Sequence, residues 1–180
     1  MRIQPVVPGT REELKEQEAQ IMAQRGRISP LYQALLNSPP IAQGWEQMLS
    51  AVRNRSSLPD ALKELVILRV AVLNNAPFEF EAHAPIALKA GVTQNAIDQL
   101  KAAPYDLNHQ GLQAQAHCFS AEQLVALKLT DTMTKEITVP DALYAQVKQH
   151  FGDQQQVDLV ATAAAYNMVS RFLEALQIGH

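Results

Sequence analysis

The chain has 180 residues, a net charge of −3, 47% apolar residues and only 7 glycines. That length buries a sizeable core without staples, and the single cysteine, Cys118, excludes an internal disulfide. The basic residues are scattered, which argues against a nucleic-acid footprint, and no apolar stretch reaches the ~18 residues of a membrane span. The opening "MRIQPVVPGTREELKEQ" has no apolar signal-peptide core, so a soluble, cytoplasmic protein is expected. Abundant alanine, leucine and glutamine with few aromatics favour helix over strand, and the expected class is all-α.

Thr10 followed by Glu13 has the form of a capping box, which predicts a first helix over about 11–25. Its largely polar faces suit a peripheral helix or arm. Pro30 suits the first turn of a short helix, and Ser38 with Pro39 and Pro40 opens another that carries Trp45, Met48 and Leu49. After a start signal at Ser57 to Asp60, "ALKELVILRVAVLNN" is apolar on nearly all sides, and a helix greasy all round is a buried one. Its β-branched residues suit a strand over 66–73, but the cap, the length and the flanking Ala-Leu-Lys-Glu decide for helix. Asn74 to Ala76 then form a tight corner, Pro77 opens a helix ending near Ala90, and Gly91 supplies a left-handed stop.

Thr93 caps "QNAIDQLKAA", which Pro104 closes. The stretch "YDLNHQGLQAQAHC" is the least patterned and reads as a long connection. Ser120 and Gln123 form a further capping box ahead of "QLVALKLTDTMTKE", and Pro140 starts "DALYAQVKQHF", which Gly152 ends. Asp153 to Gln156 caps the last helix, "VDLVATAAAYNMVSRFLEAL". No linker, repeat or low-complexity tract divides the chain. It reads as a single domain over 1–180, with 1–27 a peripheral N-terminal arm or helix.

The charges inside the greasy helix are the first candidates for chemistry. Glu64 and Arg69 are five residues apart, about 140° around the helix, so they cannot comfortably neutralise each other. Each needs a partner elsewhere, because a buried unpaired charge costs several kcal/mol. Glu79 and His83 share one face of the next helix, while Glu81 is turned ~200° from Glu79. A hairpin pivoting near residue 75 brings Glu64 to roughly one turn beyond His83, within reach of a hydrogen bond that orients the imidazole. Glu79 and His83 also have the spacing of two metal ligands, but two ligands make no site, and no metal is expected. His109, His117, His150 and His180 carry no constellation; Tyr166, Asn167 and Arg171 read as packing or interface groups.

The segment "LPDALKELVILRVAVLNNAPFEFEAHAPIALKAGV" resembles the core of the carboxymuconolactone decarboxylase family, which includes the AhpD-like alkylhydroperoxidases. The run Glu-Leu-Val-Ile-Leu-Arg and the pattern Glu-x-x-x-His-x-x-x-Ala-x-x-x-Gly carry the likeness, and "YNMVSRFLEAL" is similar to the closing helix of many members. The resemblance implies an AhpD-like helical domain with a central buried helix hairpin, and a homo-oligomer, trimer or hexamer. The peroxidase branch of that family carries Glu-x11-Cys-x2-Cys-x3-His. In this chain Glu64 and His83 occupy the glutamate and histidine positions, while Ala76 and Glu79 stand where the cysteines would be.

A thiol peroxidase reading therefore lacks its dithiol, and Cys118 has no companion. The remaining set, Glu64, Glu79 and His83, resembles the decarboxylase side. The resemblance implies a cofactor-free lyase or proton-transfer enzyme acting on a small carboxylated, lactone-type substrate, with His83 as general acid or base, Glu64 as its orienter and Glu79 as a second acid or base. Arg69 is either a clamp for the substrate carboxylate or one half of a structural ion pair. The alternative from another class is a non-catalytic oligomer that binds a small molecule or serves as a scaffold.

Overall fold

The computed structural model describes residues 1–179; His180, which the sequence leaves without a constellation, lies outside them. All regular structure among the described residues is helical: α1 (Lys15–Arg25), α2 (Pro30–Leu35), α3 (Pro39–Asn54), α4 (Asp60–Leu73), α5 (Pro77–Lys89), α6 (Gln94–Ala102), α7 (Gln110–Ala114), α8 (Ala121–Lys135), α9 (Asp141–His150) and α10 (Asp153–Leu176). The chain divides into two compact units. One comprises residues 1–55 with the segment from Phe172 onward, the other residues 56–171.

In the first unit the expected capping box at Thr10 does not form. The Thr10 hydroxyl donates instead to the carbonyl of Val7 at 2.7 Å, and a 3-10 turn, Glu12–Leu14, precedes α1. Ile21 is buried on α1, and Trp45, Leu49 and Val52 on α3. A buried carboxylate, Glu46, organises the polar part of this unit: Arg25 Nε donates to both its oxygens (3.0 and 3.2 Å) and Ser50 Oγ donates at 2.6 Å. The Tyr32 hydroxyl donates to it as well, and burial first, then that bond, push the phenol pKa well up.

The second unit is built around α4, eleven of whose fourteen residues are buried. Its apolar residues serve two clusters at once. Leu65 and Leu68 join Phe80 of α5, Ile97 and Leu100 of α6, Leu112 of α7 and Leu127 of α8. Leu62 and Val66 join Val125 and Leu129 of α8, Val147 of α9, and Leu159 and Ala163 of α10. Burial on every side explains why the helix shows no polar stripe.

Local signals decide the ends with mixed success. Thr93 accepts from the amide of Ala96 at 3.1 Å, and Ser120 and Gln123 bond each other's backbone amides in a full capping box. Ser57, by contrast, spends its amide and hydroxyl on Asp158 Oδ2 (2.7 and 2.6 Å) rather than on α4. Asp153 is the first helical residue of α10 and not its cap; the half-formed box is the amide of Gly152 donating to Gln155 Oε1 at 3.2 Å.

The stretch expected to be an unpatterned connection holds α7 and a 3-10 turn, Ala116–Cys118. Asp106 organises it: Oδ1 accepts from the amides of Asn108 and Gln110, and Oδ2 from that of Gly111, at 2.9–3.0 Å. These bonds, that of Gly111 foremost, hold its carboxyl below the usual 3.8. One aspartate satisfying three orphan amides is invisible to hydrophobic periodicity.

Candidate active site

The corner between α4 and α5 is as tight as the sequence suggests. The amide of Asn74 donates to Val70 O, that of Asn75 to Val72 O and that of Ala76 to Ala71 O, at 2.9–3.1 Å. Asn75 takes the left-handed conformation this requires (φ 52°), which asparagine tolerates better than most residues. Pro77 occupies the first turn of α5, where a missing amide costs nothing. A second proline, Pro85, sits inside α5 and removes the amide that would bond the carbonyl of Glu81.

The hairpin sets Glu64 of α4 beside His83 of α5. His83 Nδ1 donates to Glu64 Oε2 at 2.7 Å, and both residues are buried. The bond fixes the tautomer, since a carboxylate accepts and Nδ1 must carry the proton. Nε2 has no hydrogen-bond partner among the described residues, and the side chain keeps 10% of its surface exposed. Tyr166 of α10 stacks edge-on against the imidazole, with ring centroids 5.1 Å apart and planes at 90°. Glu79 lies one turn before His83 on the same face and is 2% exposed.

Arg69 stands apart from this group. It is fully buried, and its Nε and NH2 donate to the two oxygens of Asp131 on α8 at 2.5 and 2.8 Å. NH1 donates to the carbonyls of Leu100 and Ala103 at 3.2 and 2.7 Å. The carboxylate in its fork is the protein's own. The clamp reading is therefore corrected in favour of the ion pair, because a guanidinium offers one fork and Asp131 fills it.

Asp131 is the residue that sequence reading missed. The signal was available: a charge in "KLTDTMTK", four residues beyond buried Leu127, belongs on the buried face and implies a partner. Asn167, a packing or interface group by sequence, ties three helices together, donating to Thr134 Oγ1 and accepting from Asn74 Nδ2, both at 2.9 Å.

Cys118 is half-buried and accepts from Asn95 Nδ2 at 3.3 Å. No group of three or more histidine, cysteine, aspartate or glutamate side chains among the described residues could hold a metal ion. A hollow of about 230 Å³ opens at the corner, lined in part by Asn75, Pro77, Phe80 and Lys101; neither Glu64 nor His83 borders it. What the buried Glu64 and His83 pair can do is hold one proton on Nδ1 and accept or deliver another at Nε2.

Comparison with known proteins bears on the same segment. The model of the carboxymuconolactone decarboxylase family matches residues 39–107. YdfG of Bacillus subtilis (strain 168), an uncharacterised protein, is 30% identical over 124 residues, 68% of this chain and 78% of YdfG. Among solved structures, the AhpD core of an uncharacterised peroxidase-related protein from Ralstonia eutropha JMP134 superposes with a TM-score of 0.77 at 14% identity, covering 98% of this chain and 90% of that one. The debrominase Bmp8, in complex with 2,3,4-tribromopyrrole, superposes with the same TM-score at 10% identity, covering 99% and 90%. At such identities the last two likenesses are of fold.

Proposed function

Because this chain belongs to the carboxymuconolactone decarboxylase family and has the AhpD-like helical fold, we propose that it is a cofactor-free acid–base enzyme, a lyase acting on a small carboxylated, lactone-type substrate. The observation that carries the reading is the buried bond between Glu64 Oε2 and His83 Nδ1, which leaves Nε2 as the working atom. In decarboxylation the bond to the substrate carboxyl breaks, carbon dioxide leaves, and its electron pair delocalises into the unsaturated lactone. His83, protonated at Nε2, then returns a proton to carbon, and Glu64 keeps the ring aligned throughout. Glu79, one turn away on the same face, is the second acid or base.

Arg69 is assigned to the scaffold, so the substrate carboxylate is held by another group. The debrominase with this fold binds a small unsaturated ring, which supports a substrate of that size. A thiol route is disfavoured because Cys118 is the one cysteine. By the family likeness we read it as a cytoplasmic homo-oligomer, trimer or hexamer; no helix among the described residues is long and apolar enough to cross a membrane.

The test is a screen of carboxylated unsaturated lactones for carbon dioxide release, followed by His83→Ala, Glu64→Gln and Cys118→Ser. Loss of a positioned acid–base group lowers kcat by ~10²–10⁴-fold. We expect that loss in His83→Ala, a smaller one in Glu64→Gln, and none in Cys118→Ser. Turnover that survives His83→Ala, or vanishes with Cys118→Ser, would overturn the reading.

A further inference from the structure

The bond to Glu64 sets the tautomer of His83 but forms only while the side chain keeps the rotamer that aims Nδ1 at the carboxylate. Something else must hold that rotamer and hence where Nε2 looks. The only ring stacked on it among the described residues is Tyr166, perpendicular at 5.1 Å and 2% exposed. An edge-on aromatic neighbour attracts one orientation and sterically refuses others.

The position of Tyr166 is itself set from the corner of the hairpin. Asn74, the residue that ends α4, donates through Nδ2 to Asn167 Oδ1 at 2.9 Å and to Ser170 Oγ at 2.7 Å. Ser170 Oγ donates in turn to the carbonyl of Tyr166 at 2.9 Å. Asn167 Nδ2 reaches Thr134 on α8 at 2.9 Å. The turn of α10 that carries Tyr166 is thereby pinned to the end of α4 through half-buried Asn74 and to α8 through buried Asn167 and Thr134.

We propose that Tyr166 is a positioning residue for His83: its ring holds the imidazole in the plane that keeps Nδ1 on Glu64 and Nε2 free, and Asn74, Asn167 and Ser170 fix where that ring stands. This rests on the reading of His83 as the proton-transfer group. The test is made without substrate, so that a failure here and a failure of that reading are distinguishable.

The experiment is nitrogen NMR of the histidine rings in the full-length protein, with His83 assigned through His83→Ala and the ratio of Nδ1–H to Nε2–H tautomers as the readout. Wild type shows a dominant Nδ1–H form. Tyr166→Phe keeps the ring and the ratio. Tyr166→Leu lowers the ratio about 2- to 10-fold, the worth of an aromatic pair; should it fail to fold, Tyr166→Met fills the volume without a planar face and gives the same shift. Leu159→Ala opens a cavity elsewhere on α10, in the cluster with Leu62 and Val66, and leaves the ratio unchanged. The proposal is overturned if Tyr166→Leu or Tyr166→Met keeps the wild-type ratio, if Tyr166→Phe loses it as fully, or if Leu159→Ala shifts it too.

Discussion

Replacing Asp131 isolates the buried pair on which α4 and α8 meet. Arg69 is fully buried, with both oxygens of Asp131 in its fork at 2.5 and 2.8 Å and two carbonyls on its remaining arm. Asp131→Ala removes the counter-charge and leaves a desolvated guanidinium, a situation that costs ~3–5 kcal/mol. Asp131→Asn keeps the volume and one acceptor, but turns an amide donor toward a donor, and belongs near the lower figure. A domain of this size loses ~2–4 °C of Tm per kcal/mol, so the variants should melt ~6–20 °C below wild type. Urea unfolding followed by circular dichroism measures the loss directly, with an unchanged m value showing that the unfolded state is not responsible. The double variant Arg69→Met with Asp131→Leu removes both charges and should recover most of the loss, because desolvating the pair consumed much of its attraction. A cost below ~1 kcal/mol for Asp131→Ala, or a double variant as unstable as the two single losses added, would refute the assignment of Arg69 to the scaffold.

Three further outcomes follow from the geometry. In Gly111→Ala the new Cβ would lie 2.9 Å from Pro104 Cδ and closer still to the Pro104 carbonyl oxygen, so α7 must shift; we expect a loss of ~1–3 kcal/mol, with faster amide exchange confined to 104–118. Asp106 has a depressed carboxyl in the fold, so its contribution is complete above the ordinary value of 3.8 and is lost as pH falls through the lower folded value. Proton exchange at the Gln110 and Gly111 amides should speed up selectively over that acid range, and Asp106→Asn should blunt the change. Ser120→Ala opens the capping box of α8 and should cost ~1 kcal/mol in thermal unfolding, while Thr10→Ala, which loses only an exposed bond to the Val7 carbonyl, should cost less.

How far the residues alone specify this protein depends on the range of the interaction. Properties settled within about one turn were legible in the sequence: the helical class, the burial of α4 from its unbroken apolar run, the tight corner at Asn74 to Ala76, the caps at Thr93 and Ser120. The Glu64 to His83 contact also belongs here, because a tight corner makes register between two consecutive helices a matter of counting. The same local rules failed at Thr10, Ser57 and Asp153, where a nearby carbonyl or carboxylate, or the Gln155 amide oxygen, offered a competing partner. Contacts separated by many residues were decided by packing. Arg69 is paired by a carboxylate 62 positions away, and Asn74 meets Asn167 and Ser170 more than 90 positions on. No periodicity encodes which of several buried polar groups will meet, since that follows from how α8 and α10 cross α4. A buried charge in the sequence announces that a partner exists, and only the folded chain determines which one it is.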